Sequence, residues 1–464
     1  MEVPIHQGKN NMKKSLCGVA VSALTCLGMS VSANSETLDE VLAQAYMSNP
    51  TLEAQRASLR ATDENINQAR SGWLPNITAN GSVSYQDTQT DSLFGRSGTI
   101  YPKSASITLQ QNLFTGFQTV NTTKQARKEV EAARQSLLDT EQSVLLQAVS
   151  AYVDVKRDEA VLELTKNNVK VLQRQLEASE DRFRVGEITR TDVAQSKARL
   201  SGAITERIQA EANLTASRSA FMRVVGDAPA TLEEIEGLPA MPASEDAALD
   251  MALRYSPTLN SAKYVEEAAK YNVKSQYGGL SPRVSLEASY AKSWDASTVT
   301  TNVTSKEVVA RMTVPLYQSG AQSSRIRQAK QLESQRRLEV IAAERQVREN
   351  VQNAWEGYRE ASARIESTRS QVEANEIALE GVRQEAEVGS RTTLDVLDAE
   401  QELLTSRVEN VRSRRDQIVA AFTLLQAMGK LTAQDLQLEA AYYDSRKNTD
   451  RVDGKLYGFG SGEE

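Results

Sequence analysis

The sequence predicts a mainly α fold whose few β-strands are pooled with those of other copies into a shared membrane β-barrel. Three observations predict it: an export leader followed by no second long apolar run, a two-fold internal repeat, and, in each copy, segments of period two that give way to an unbroken heptad pattern. At 464 residues the chain exceeds what one hydrophobic core sustains, so an elongated or multi-part architecture follows.

The leader comes first. Lys13 and Lys14 precede an apolar run from Leu16 to Val31, and Val31-Ser32-Ala33 closes it, as in a secretory signal peptide. Met12 is the natural start, which makes Met1 to Asn11 an upstream extension and takes residues 1–33 out of the fold. Cys17, Cys26 and the single histidine, His6, all fall there, so the predicted mature chain has no disulfide, thiolate or zinc chemistry and needs no cofactor. Cys26 follows Thr25 rather than a small residue, which argues against acylation. Without Lys9, Lys13, Lys14 and Glu2 the balance is 51 basic against 60 acidic residues, a net charge of −9 that speaks against a nucleic-acid partner.

The repeat organises the rest. Asn49-Pro50-Thr51-Leu52 returns as Ser256-Pro257-Thr258-Leu259, and Gly72-Trp73-Leu74-Pro75 as Gly279-Leu280-Ser281-Pro282, both 207 positions later. Further on the offset is 203: Leu113-Phe114 matches Leu316-Tyr317, Val185-Gly186 matches Val388-Gly389, and Asp192-Val193 matches Asp395-Val396. The copies span 34–243 and 244–440, with a Pro- and Gly-rich linker from Gly226 to Pro242 and a Gly-, Asp- and Ser-bearing tail, 441–464, expected to be loosely ordered.

Within each copy the order is a helix, two strands, a very long helix, a turn and a returning helix. Ile77, Ala79, Gly81, Val83 and Tyr85 alternate with polar neighbours, and strands are placed at about 75–86, 104–114, 283–294 and 307–317. Ala148, Val155, Leu162, Val169, Leu176 and Phe183 then recur every seven residues, and 203 positions on stand Val351, Tyr358, Ile365, Val372, Leu379 and Ala386, so the coiled-coil seam is itself duplicated. No proline interrupts 117–184 or 321–386, which allows helices about 100 Å long. Turns fall at 185–192 and 388–395.

Four strands cannot close a barrel in lipid, where open edges go unsatisfied. Two copies would give eight strands and a filled interior, whereas three would give twelve and an aqueous lumen. Trp73, Tyr85, Phe114, Phe117, Tyr290, Trp294 and Tyr317, near the strand ends, suit interfacial girdles.

The runs Val185-Gly186-Glu187-Ile188-Thr189-Arg190-Thr191-Asp192-Val193 and Val388-Gly389-Ser390-Arg391-Thr392-Thr393-Leu394-Asp395-Val396-Leu397-Asp398-Ala399, with Asn112-Leu113-Phe114 and Pro315-Leu316-Tyr317, resemble the TolC family of outer-membrane efflux and type I secretion channels, over nearly the whole mature length. The resemblance implies a homotrimer with a twelve-stranded barrel in outer-membrane lipid, a twelve-helix periplasmic tunnel, and an equatorial belt of linker and C-terminal residues. It also implies a periplasmic adaptor and an inner-membrane pump or ABC transporter as partners.

In such channels the turns close the entrance. Asp395 and Asp398, three apart on one helical face, would form two carboxylate rings under three-fold symmetry, attracting cations and binding polyvalent blockers. Thr191, Asp192 and Arg391 are carried over as closing links between neighbouring coiled coils; the family's tyrosine in this network is Ala386 here. The competing reading of Thr189-x-x-Asp192 and Thr392-x-x-Asp395 is a helix capping box, and of Arg391 an ordinary surface ion pair. Asp398 lies beyond the cap and is matched by Gln195 in the first copy, so capping explains it less well.

Two other classes are weighed. An enzyme is disfavoured by the absence of a phosphate loop or nucleophile elbow. A periplasmic coiled-coil adaptor or scaffold would need no lipid-facing strands and would extract without detergent. No motif selects a drug over a polypeptide as cargo.

Overall fold

The computed structural model describes residues 35–89, 97–235, 237–297, 300–455 and 457–460; the leader lies outside them. In chain order the elements are α1 (Leu38–Ser48), α2 (Pro50–Arg70), β1 (Asn76–Val83), β2 (Gln86–Thr88), β3 (Gly98–Ile100), β4 (Lys103–Phe114), α3 (Gln118–Arg184), α4 (Arg190–Val225), α5 (Glu245–Tyr255), α6 (Pro257–Gly278), β5 (Arg283–Trp294), β6 (Asn302–Thr313), α7 (Ala321–Glu387), α8 (Thr393–Ala427) and α9 (Lys447–Val452).

The internal repeat reappears in the element boundaries. α5 begins and ends 207 residues after α1, and α7 begins and ends 203 residues after α3. Each copy opens with two helices because Asn49-Pro50 and Ser256-Pro257 break the chain: proline cannot continue a helix but suits its first turn. Asn49 Oδ1 accepts the Thr51 amide at 2.9 Å and Ser256 Oγ the Leu259 amide at 3.4 Å, capping the second helix of each pair.

α3 and α7 are both 67 residues long, about 100 Å. Along α3 every seventh residue from Val130 through Ala151 and Leu172 to Ser179 is buried, and the neighbouring seam positions Ala148, Val155 and Leu162 are buried beside them. Towards the far end the seam opens, with Leu176 half-buried and Phe183 44% exposed. The densest core sits midway along, where Leu42, Leu145, Tyr152, Phe221, Leu424, Met428 and Leu431 are all at most 1% exposed.

The linker straps this core. Glu36 and Leu232 form a parallel bridge, and the Tyr152 hydroxyl lies 3.0 Å from the Glu36 carbonyl oxygen and 2.9 Å from that of Glu233. Within the tail, Lys447–Val452 departs from the expected loose order, because its polar residues answer a buried charge. Asp63, fully buried on α2, accepts from Asn448 Nδ2 at 2.7 Å and Thr449 Oγ1 at 2.8 Å, docking α9 on α2.

The sheet runs β1-β4-β5-β6, antiparallel throughout, with β2 and β3 forming a small separate hairpin in the loop between β1 and β4. Its register puts the alternating apolar residues on one face. Ala79 stands opposite Ile107, Ile107 opposite Tyr290, Leu109 opposite Ala288, and Ala288 opposite Val308. The other face is largely polar, and there Ser82 and Ser104 join hydroxyls at 2.7 Å. β6 lies several residues earlier than its expected 307–317. Arg283, just after Pro282, pairs with Thr313, so no partner backbone remains for Val314 to Tyr317. The twelve residues of β5 reach about 37 Å, or about 28 Å of membrane depth at a barrel tilt of about 40°.

Sheet and helices meet at a close backbone crossing. Gly116, at φ +62°, leads β4 into α3, and a Cβ on it would overlap the carbonyl oxygen of Gly278, the last residue of α6. Only glycine at both positions lets the two backbones pass.

Candidate functional site

The ends of the two helical hairpins carry the candidate site, and local sequence builds both by the same rules. α3 stops where Gly186 adopts φ +83°. Its amide donates to the Phe183 carbonyl at 3.0 Å and the Glu187 amide to the Arg182 carbonyl at 2.9 Å, a Schellman ending. α7 stops identically at Gly389, φ +79°, with bonds of 3.1 Å from Gly389 to Ala386 and 2.9 Å from Ser390 to Glu385. Each returning helix then starts with a threonine cap, which leaves only residues 185–189 and 388–392 outside helix.

Asp192 and Asp395 both sit in capping boxes. The Thr392 amide and hydroxyl each donate to Asp395 Oδ2 at 2.8 Å, while the Asp395 amide donates back to Thr392 Oγ1 at 3.2 Å. The Thr189–Asp192 pair repeats this at 2.8, 2.8 and 3.3 Å. The hydrogen bond from the Thr392 backbone, then that from its hydroxyl, hold the Asp395 carboxyl below its ordinary range, with the Arg391 guanidinium adding to the effect. Arg391 itself donates to Glu385 Oε2 at 2.8 Å across its own turn, which raises its already high pKa.

Thr191 and Asp192 therefore lie at one tip and Arg391, Asp395 and Asp398 at the other. Within one chain Arg391 engages Glu385, and the structure brings it to neither Thr191 nor Asp192. Asp398 is different: its Oδ1 is paired with Arg199 Nη2 on α4, so it bridges the hairpins. Beside it Leu397, 1% exposed, is buried with Leu172 and Ala203 and packs against Val169 and Leu200. At 100° per residue, Leu397 points about 200° away from Asp395, so burying the leucine turns Asp395 to the opposite side of α8.

Arg199 and Leu397 were not singled out from the sequence as site residues. The available signal was a departure from the repeat: Arg199 maps to Glu402 and Asp398 back to Gln195, so both partners break the two-fold symmetry together. Among the described residues of one chain no three or more His, Cys, Asp or Glu side chains come together as a metal site, and no helix is long and apolar enough to cross a membrane.

The family described as "Outer membrane efflux protein" matches residues 41–227 and 248–430, one stretch in each copy. The chain is 36% identical to the outer membrane efflux protein BepC of Brucella suis, over 95% of its own length and 97% of that protein's. It is 27% identical to the outer membrane protein TolC of Vibrio cholerae, over 92% and 97%. Among solved structures, the Campylobacter jejuni CmeC outer membrane channel superposes with a TM-score of 0.77 over 97% of this chain and 98% of that one, at 14% identity, which shows the shared fold. Matched along both of its copies and related end to end to BepC, the chain belongs to the outer membrane efflux protein family.

Proposed function

We propose that the chain is one third of a passive exit duct. Three copies pool their sheets into a twelve-stranded outer-membrane barrel and their hairpins into a tunnel across the periplasm. An inner-membrane pump or ABC transporter, joined through a periplasmic adaptor, supplies the cargo and the energy. The protein itself does no covalent chemistry.

The observation that carries this reading is the sheet. Its four strands present one largely apolar face, with Lys103, Lys292 and Lys306 towards the end nearest the β5–β6 turn, yet β1 and β6 have no further strand partner among the described residues. In lipid those edges must pair with another copy. Twelve strands, unlike eight, leave a lumen for the polar face.

At the entrance, Asp395 and Asp398 from three copies make two acidic rings, and Thr191 and Asp192 of one copy meet Arg391 of the next. The single-chain geometry supports the first part, since burial of Leu397 turns Asp395 away from the first hairpin. It leaves Arg391 on the exposed tip, beside Glu385.

The test has two stages. Mass measurement of the detergent-purified particle gives three copies, and planar bilayers give discrete conductance steps. A detergent-independent monomer without conductance would sink the duct and favour the adaptor reading. Asp395→Ala and Asp398→Ala, alone and together, reduce cation preference; unchanged conductance and selectivity in all three remove the ring assignment.

A further inference from the structure

We propose that Arg199 is the resting counter-ion of the Asp398 ring and that, with Leu397 seated between α3 and α4, it latches the second hairpin of each protomer to its first. This rests on the acidic-ring reading above and adds what controls one ring's charge.

The geometry distinguishes the two carboxylates. Asp395 is held entirely by groups of its own turn, through Thr392. Asp398, one helical turn on, is held by a residue of the other hairpin, where Arg199 Nη2 meets Asp398 Oδ1. The pair is partly exposed, at 40% and 56% of the two side chains, so as an isolated surface pair it adds little stability. Its effect is on charge. While it holds, three guanidinium groups of the first hairpins offset three carboxylates, whereas the Asp395 ring has no direct ion pair and only the more distant Arg391 of its own turn.

Leu397 fixes the distance at which the pair forms. It is 1% exposed next to Asp398 in sequence, in a pocket made by Val169, Leu172, Leu200 and Ala203 of the first hairpin. Swinging α8 away from α4 withdraws that leucine and separates Arg199 from Asp398 in one motion. Widening the entrance therefore unmasks the second acidic ring, so cation attraction rises as the aperture grows. The latch is a property of one protomer, unlike the links between neighbours proposed for Thr191, Asp192 and Arg391.

The experiment is single-channel recording of purified trimers in planar bilayers, with hexaamminecobalt(III) as the blocking probe. Arg199→Gln raises cation preference and tightens block by at least about fivefold, the change that one pair of unit charges makes at about 4 Å in water, since the probe carries three charges and three copies are altered. The same substitution on an Asp398→Asn background has no effect. If Arg199→Gln leaves selectivity and block unchanged while Asp398→Asn lowers them, the latch is wrong and the acidic rings stand. If neither variant changes them, both fall. Arg199→Cys combined with Asp398→Cys, treated with a short bis-maleimide, supplies a second readout in a mature chain otherwise free of cysteine. Cross-linking within single chains, with loss of opening, supports the latch; cross-linked dimers overturn it.

Discussion

Replacing Gly278 by alanine tests the crossing between the sheet and the helices, because two effects there oppose each other with different sizes. Gly278 ends α6, and a helical Gly→Ala change ordinarily gains about 0.5–1 kcal/mol. Here the new Cβ would overlap the Gly116 carbonyl oxygen and stand 2.6 Å from Gln118 Cγ. The side chain can move, but the carbonyl belongs to a backbone held at φ +62° by the turn into α3. Overpacking of this kind costs about 1–3 kcal/mol, so the clash wins and each protomer loses about 1–2 kcal/mol. In the proposed trimer the loss occurs three times at one level of the cylinder. The control is Gly202→Ala on α4, where an added Cβ meets nothing within 4 Å and the propensity gain of about 0.5–1 kcal/mol stands alone. Guanidinium unfolding of purified particles, followed by helix signal and oligomer mobility, separates the two. A Gly278→Ala protein as stable as the native one would refute the argument that the backbones cross at contact.

Three further outcomes follow from side chains already placed. Thr392→Ala removes the hydroxyl donor to Asp395, whose carboxyl is held low first by the Thr392 amide and then by that hydroxyl; the pH at which cation preference fades on acidification moves up, as selectivity titration will show. Tyr152→Phe removes the one phenolic hydrogen that the Glu36 and Glu233 carbonyls share and costs about 1–1.5 kcal/mol in urea unfolding. Burial pushes the native Tyr152 phenol up to about 12, so the folded state keeps a proton that the unfolded state releases, and stability falls as pH rises from about 10 to 12. Arg157→Ala takes the two-pronged partner, at 2.8 and 2.9 Å, from Asp158, which is 6% exposed; a loss of about 2–3 kcal/mol is expected, and Arg157→Lys recovers only part of it.

Much of this architecture was legible because its signals are local and repeated. Two long stretches without proline, each closed by Val-Gly, set α3 and α7 to within a residue or two, and each Thr-x-x-Asp turned out to be a capping box. Alternation identified the strand faces, but not where β6 begins. That depends on which residue of β5 lies opposite, a long-range pairing that a single strand's pattern does not contain. The order at α9 is illegible for a related reason. Asn448 and Thr449 look like solvated loop residues until Asp63, nearly four hundred positions away, is placed beneath them. The pairing of Asp398 with Arg199 was equally out of reach of periodicity, although both positions break the internal repeat.

The residues chosen for the buried stripe of the hairpins also determine where the molecule is stiff. Near the middle that stripe is filled by Leu145, Tyr152, Phe221 and Leu424, whereas beyond Leu172 the first hairpin's stripe narrows to Ser179 and Ser196, which share a hydroxyl contact at 3.2 Å. Resistance to parting two helices grows at about 25 cal/mol for each Å² of apolar surface they hide, so layers of serine and alanine resist several times less than layers of leucine and tyrosine. Pulled at its ends, the first hairpin parts at its serine layer, is checked at Leu172 and halts at the aromatic layer, like a fork with soft tines set in a rigid handle.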